Sequence, residues 1–176
     1  MTTYVLAGGC FWCIDAVFRR LKGVSSVVSG YAGGEASDAS YYTVATGNTG
    51  HAEAVQVTFD ETVIAPSIIL DIFFLIHDPT TKNRQGADVG PQYRSVMFYA
   101  DDAQRGEFET VIERAGALWD APIVTDLAPL EGFYEAESEH QDYFANNPGN
   151  GYCSVVIEPK IVKARRVYAK WFEAEA

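Results

Sequence analysis

The chain changes hydrophobic period along its length, and the changes mark out its elements. Thr3-Tyr4-Val5-Leu6-Ala7 is a short β-favouring run. Gly8-Gly9 hinges it to a helix on which Phe11, Ile14, Phe18 and Leu21 recur, with Arg19, Arg20 and Lys22 collected in the last turn before Gly23. Val24 to Val28 is a β-branched run that ends in Ser29-Gly30-Tyr31-Ala32-Gly33-Gly34. A polar loop runs through Ser40-Tyr41-Tyr42 to Thr49-Gly50-His51. In Ala52 to Phe59, Val55, Val57 and Phe59 alternate with Gln56 and Thr58, which predicts a strand. Ala65-Pro66-Ser67 opens a second helix, and Ile69, Leu70, Phe73, Phe74 and Ile76 make it apolar over most of its circumference. Asp78 to Gln92 has no period and reads as a long functional loop. Tyr93 to Tyr99 is a predicted strand. Phe108, Val111, Ile112, Ala115, Leu118 and Trp119 stripe a third helix starting near Asp101 and Asp102, and Ile123-Val124-Thr125 returns as a strand.

Strand, helix, strand, strand, helix, strand predicts an α+β fold, a two-layer sandwich with a ferredoxin-like split βαβ core and a loop-rich C-terminal extension. Helices cover one face of a mainly antiparallel sheet. Past residue 130, Phe133 to Glu137 enters a short polar helix running through His140 and Tyr143, and Asn146 to Gly151 breaks it. Cys153 follows that glycine-rich stretch. Lys160, Lys163, Arg165, Arg166 and Lys170, with Tyr168, Trp171 and Phe172, form a terminal amphipathic helix. One catalytic domain over 1–176 is expected, with a core of about 3–157 and a tail of about 158–176.

With 176 residues, 48% of them hydrophobic, the chain can bury a core without staples. Three cysteines are too few and too odd for a secreted disulfide scaffold, which points to thiols kept reduced or cycled in a cytoplasm. No signal peptide or membrane span is visible: Ile68 to Ile76 is short and carries Asp71. A net charge of −11 argues against a general nucleic-acid binder. With His51, His77 and His140 scattered and no second C-x-x-C, zinc is poorly supported.

The chemistry concentrates at Gly9-Cys10-Phe11-Trp12-Cys13. Unpaired backbone N–H groups and the positive end of a helix dipole would lower the Cys10 pKa and favour its thiolate. Cys13 suits a redox pair, half a metal site, or a core cysteine one turn on. Glu53 shares its strand face with Val55 and Val57, and a carboxylate on an apolar face is a local conflict of the kind found at functional sites. Such a setting raises a carboxyl pKa and suits a general acid.

Six stretches together carry a resemblance: Gly9-Cys10-Phe11-Trp12, Gly30 to Gly34, Thr49-Gly50-His51-Ala52-Glu53-Ala54-Val55, His77-Asp78-Pro79-Thr80, Arg84 to Gly90 and Gln92-Tyr93-Arg94-Ser95. In order, and extended by Phe133-Tyr134, Ala136-Glu137 and His140-Gln141, they resemble the signatures of peptide methionine sulfoxide reductase A over roughly residues 4 to 157. The resemblance implies Cys10 as nucleophile and Glu53 as the acid that protonates the sulfoxide oxygen. It implies Tyr41 and Tyr93 as hydroxyls holding that oxygen, Asp88 as support, and Phe11, Trp12 and Tyr134 as substrate-binding residues. It further implies attack on the S epimer, free or in proteins, a sulfenic acid on Cys10, and resolution by a second thiol. No bound cofactor is implied; an external dithiol such as thioredoxin recycles a cytoplasmic, monomeric enzyme.

The chain departs from the family where Cys13 replaces a common glycine, Asp15 a common glutamate and Glu139 a frequent aromatic. Asp15 reads as a first-turn acid complementing the dipole. Cys153 resembles the family's C-terminal resolving cysteine and is the expected resolving thiol, Cys13, one turn from Cys10, is the alternative, and a relay in which Cys10–Cys13 forms first and passes to Cys153 is open. A thioredoxin-like dithiol oxidoreductase using Cys10 and Cys13 is the alternative activity, and a methionine- or aromatic-binding module without turnover a third.

Overall fold

The computed structural model describes residues 1–174. It is a mixed α/β fold: one six-stranded sheet with flanking helices and a small separate hairpin. Strand β1 (Thr2–Ala7) leads through Gly8-Gly9 into α1 (Phe11–Phe18) and β2 (Val24–Ala32). The segment to β3 (Ala52–Phe59) holds a 3-10 turn at Ala36–Asp38 and a short helix α2 (Tyr41–Ala45), capped by Ser40. Next come α3 (Pro66–Ile76), a hairpin of β4 (Arg84–Gln85) and β5 (Asp88–Val89), and a 3-10 turn at Pro91–Tyr93. They are followed by β6 (Val96–Tyr99), α4 (Asp102–Gly116), β7 (Asp126–Pro129) and β8 (Phe133–Glu135). Helix α5 (Tyr143–Asn146) and a π-turn at Cys153–Ile157 lead into α6 (Glu158–Val167).

The sheet order is β7-β6-β1-β3-β2-β8, antiparallel throughout except for the β6–β7 pair. Period-two alternation sorts its side chains. Tyr4, Leu6, Val55, Val57, Phe59 and Met97 enter the main core under the helices, while Val5, Ala7, Ala52, Ala54, Val96 and Phe98 face the other side, covered by Ala128, Leu130 and Phe133. Both faces are therefore buried, and every residue of β3 except Gln56 and Thr58 is inside.

Several boundaries differ from the sequence expectation. Helix α1 stops at Phe18, where the Arg20 and Leu21 N–H groups close tighter turns onto the Val17 and Phe18 carbonyls ahead of Gly23, and Arg19 clamps Asp15 by two hydrogen bonds at 2.9 and 2.7 Å. Asp15 is no first-turn acid: it lies 1% exposed in the middle of the helix, and Ser29 Oγ donates to it as well. Gly90-Pro91 holds Tyr93 in a 3-10 turn, so β6 starts only at Val96. Val124 is tied to the Pro79 carbonyl and Thr125 to Ser95, which delays the expected strand at 123–125 to Asp126. Leu118 and Trp119 lie past the end of α4, and Leu118 is exposed. Phe133 to Glu135 is an edge strand rather than a helix entry, because Gly30 to Ala32 offers it a free edge. The amphipathic tail helix ends at Val167, leaving Trp171 in a separate 3-10 turn.

Candidate active site

Cys10 occupies the N-cap of α1, 7% exposed, directly after the two hinge glycines. Gly9 has φ +93°, and a Cβ there would come within 2.6 Å of Gln85; one on Gly8 would meet the His77 ring at 2.9 Å. Both glycines are thus required by the close approach of α3's C-terminal end and the β4–β5 hairpin. Glu53, 2% exposed, enters from β3: its Oε1 accepts the Phe11 backbone N–H at 3.2 Å. The carboxyl therefore occupies an orphan donor at the start of α1 itself.

Burial raises the Glu53 pKa to about 8, against the lowering effect of the Phe11 N–H, so the carboxyl carries its proton at neutral pH. Burial also pushes the Cys10 thiol well up, helped by its hydrogen bond to Cys13 and the nearby Glu53. This corrects the expectation of a helix-stabilised thiolate on Cys10 in the resting site: desolvation outweighs the helix start. Cys10 beside it instead lowers Cys13 to about 7, with Lys160 assisting against burial.

Tyr41, from α2, and Tyr93, from the turn before β6, share the same charged neighbours. Each is half-buried, each pKa is raised first by burial, and each feels Glu53, Cys10 and Asp88. Tyr41 is held by its backbone N–H, which donates to Glu137 at 3.0 Å, while Tyr31 Oη donates to the other oxygen of Glu137 at 2.9 Å. Gln92 Nε2 donates to the Ala45 carbonyl, joining the Tyr93 turn to α2. Asp88 accepts from Tyr152 Oη at 2.7 Å, and that hydroxyl also lies 3.8 Å from Cys13 Sγ.

Trp12 forms the aromatic side of the site. Its ring stacks on Tyr143 with centroids 3.6 Å apart and on His140 at 5.8 Å, and it meets Tyr152 edge-on at 5.9 Å. Trp12 Nε1–H donates to His140 Nδ1 at 3.2 Å, which fixes His140 as the neutral tautomer with its proton on Nε2. Phe11 is fully buried against Tyr31 and His140. Tyr134 sits opposite Tyr31 in the β2–β8 register and packs edge-on against His51.

Cys153 is 2% exposed in the first residue of the π-turn that runs into α6, and the thiol whose charge it feels is Cys13. Its pKa is raised by burial and by that neighbour. Sequence reasoning gave no role to Tyr152, Glu137, His140 or Tyr143. Their signal was an aromatic, His- and Glu-bearing stretch too irregular to be a core helix, beginning near residue 133.

The comparisons decide what this arrangement belongs to. A family model described as peptide methionine sulfoxide reductase matches residues 2–172. The chain belongs to that family. It is 58% identical over 174 residues to the peptide methionine sulfoxide reductase MsrA of Paenarthrobacter aurescens, covering 99% of this chain and 100% of the relative. It is 57% identical to that of Clavibacter michiganensis subsp. michiganensis, covering 99% of each. Among solved structures, reduced Mxr1 of Saccharomyces cerevisiae superposes with a TM-score of 0.80 at 38% identity, covering 86% of this chain and 88% of that one. Methionine sulfoxide reductase A of Corynebacterium diphtheriae gives 0.78 at 32%, covering 84% and 76%. Mxr1 in complex with Trx2 gives 0.56 at 29%, covering 81% and 84%. The chain is an MsrA-type oxidoreductase that reduces methionine sulfoxide through a catalytic cysteine.

Proposed function

We propose that the chain reduces the S epimer of methionine sulfoxide, free or in proteins, with Cys10 as nucleophile and Glu53 as acid. The observation that carries this reading is a protonated, buried carboxyl bound to the backbone N–H of the residue after Cys10. A sulfoxide sulfur is a poor electrophile until its oxygen is protonated or strongly hydrogen-bonded. Glu53 supplies the proton, and the Tyr41 and Tyr93 hydroxyls are the donors that hold the oxygen. Cys10 sulfur then takes the oxygen: the sulfoxide is reduced by two electrons to a thioether, and Cys10 is oxidised to a sulfenic acid. The Cys10 proton passes to Cys13, which lies in the same closed turn at the start of α1. Asp88 supports the site by accepting from Tyr152. Trp12 is the apolar wall for the substrate methyl group, with Phe11 packed beside it.

A thioredoxin-type dithiol is the natural recycling partner, a reading supported by the Mxr1–Trx2 complex of a structural relative. The central strand order β6-β1-β3-β2, with α1 and α3 as crossovers, supports a ferredoxin-like core. The cysteine usage supports a cytoplasmic setting, and a site built from one chain supports a monomer as the working form. The test is a single turnover: reduced protein with a racemic methyl sulfoxide peptide and no recycling reductant. About one equivalent of thioether from the S epimer alone is expected. Thioether formation by Cys10→Ser would overturn the assignment.

A further inference from the structure

We propose that His140 is a positioning residue for the reductase reaction: its neutral imidazole joins the Trp12 indole to the Tyr41 ring, setting the methyl wall and the oxygen-holding hydroxyl together. The proposal rests on the reductase reading above. His140 is 5% exposed, on the 3-10 turn Ser138–His140. Trp12 Nε1–H donates to its Nδ1 at 3.2 Å, and the two ring planes lie within 18° of each other. A hydrogen bond between ring nitrogens runs in the plane of both rings, so indole and imidazole form one nearly flat plate. Tyr41 lies on the imidazole half of that plate, with centroids 4.3 Å apart and planes at 29°, while its ring stays 6.5 Å from Trp12. Phe11 packs against the imidazole at 5.5 Å. One ring therefore touches three residues of the site, from α1 and α2.

The turn that carries His140 is itself fixed. Gln141 Nε2 donates to the carbonyls of Ser29 and Ala136 at 2.8 and 3.1 Å, and its Oε1 accepts the Ser29 N–H at 2.8 Å, which fastens the turn to β2. Glu137, at the head of the same turn, accepts the Tyr41 N–H at 3.0 Å. Tyr41 is thus held twice from one turn, through its backbone by a carboxylate and through its ring by His140.

Packing alone does not call for an imidazole. His140 Nε2 is buried with no hydrogen-bond partner among the described residues, and a buried donor left unpaired is costly. A phenyl ring would fill the same space without that cost. What the imidazole adds is one acceptor, Nδ1, and Trp12 uses it. An imidazolium has no acceptor and would turn an N–H toward the Trp12 N–H. Burial opposes that charge and outweighs the carboxylates of Glu137 and Glu139, which favour it. From the other elements packed on the ring, α1 presents uncharged Phe11 and Trp12, and α2 presents the Tyr41 phenol. Burial therefore keeps the ring in the state that can hold Trp12.

Two substitutions separate the two contacts. His140→Phe keeps a ring against Tyr41 and removes the acceptor, whereas His140→Asn puts Oδ1 in the place of Nδ1 and removes most of the ring. With methyl sulfoxide peptide titrated in single turnover, His140→Phe should raise the half-saturating peptide concentration about tenfold and change the saturating rate less. His140→Asn should do the reverse, lowering the saturating rate about tenfold and moving half-saturation less. Both quantities moving together in both variants is what lost packing alone would give, and it overturns the proposal. Nitrogen-15 NMR of wild type adds a check that needs no variant. At pH 7 His140 should show a bare Nδ1 and a protonated Nε2, and the Trp12 indole N–H should exchange slowly. A protonated Nδ1 in a wild type that turns over overturns this inference alone, even if both variants fail to fold. Absence of thioether from wild type instead overturns the reductase reading, and the inference with it.

Discussion

Glu53 and Phe11 meet across 42 positions of sequence: the Phe11 N–H at the start of α1 donates to the Glu53 carboxyl at 3.2 Å. The bond ties the acid of the site to the helix turn that begins at Cys10. It also explains why a carboxyl is tolerated on the apolar face of β3, since one of its lone pairs satisfies an otherwise orphaned donor.

The burial has a stability consequence with a definite sign. The folded-state pKa of Glu53 is raised from 4.5 to about 8, so its contribution is fully present below 4.5 and is lost as pH rises toward 8. The loss across that window is on the order of 5 kcal/mol before relaxation. Glu53→Gln cannot ionise, so its melting temperature should gain on wild type steadily between pH 5 and pH 8 while thioether formation collapses. Wild-type turnover should fall above pH 8 as the acid ionises. Parallel melting curves for the two proteins across that range would refute the raised pKa.

Tyr41 and Tyr93 approach Glu53 and Cys10 from α2 and from the turn before β6. If both hydroxyls hold the oxygen on which charge changes, removing either should slow the thioether-forming step by about 10-fold to 100-fold. Tyr41→Phe and Tyr93→Phe should act mainly on the single-turnover rate, and the double variant should lose more than either. A double variant no slower than the worse single one would leave only one tyrosine in that role.

How much was legible follows from how far each signal travels along the chain. The Cys10 turn could be read because strand, glycines and helix are contiguous, and Glu53 because a two-residue period makes one misplaced carboxylate visible. Tyr152 could not: its partners Asp88 and Cys13 are 64 and 139 positions away, and neither contact leaves a local pattern. The same holds for Glu137, which joins Tyr31 to Tyr41. Strand β8 was read as a helix entry because Phe133-Tyr134-Glu135 has no strand-like period of its own, and only the edge at Gly30 to Ala32 makes it a strand. The charge state of Cys10 went wrong for a related reason: a helix start is visible in sequence, while the depth at which it is buried is not.

His77 supports the hinge from behind. The Phe73 carbonyl must accept from its Nδ1–H, at 2.5 Å, so Nε2 accepts from Ser95 Oγ at 2.8 Å, and Thr125 in turn bonds Ser95 at 2.8 Å. Burial lowers the His77 pKa from 6.5 to about 4. The neutral ring is favoured by folding, so its contribution is full above 6.5 and is lost as pH falls toward 4, by about 3 kcal/mol. His77→Asn removes the titration. The stability gap between wild type and this variant, by urea unfolding, should narrow or reverse as pH drops from 7 to 4; a constant gap would count against a neutral His77.

Gly30 and Gly106 should respond to alanine with opposite signs. A Cβ on Gly30 would come within 2.4 Å of the Tyr134 carbonyl oxygen, backbone that cannot rotate away, so β8 must leave its register. That strand leads through Ala136 to Glu137, whose carboxylate holds Tyr41. Gly30→Ala should therefore cost about 1–3 kcal/mol of stability and also slow the thioether-forming step, because Tyr41 loses its anchor. Gly106 lies within α4 with nothing in reach of an added Cβ, so Gly106→Ala should stabilise by about 0.5–1 kcal/mol and leave turnover alone. Chemical denaturation of the two variants beside wild type, with the single-turnover rate measured on each, checks both. A Gly30→Ala protein as stable as Gly106→Ala would mean that β8 does not pack on the sheet edge as closely as its register implies.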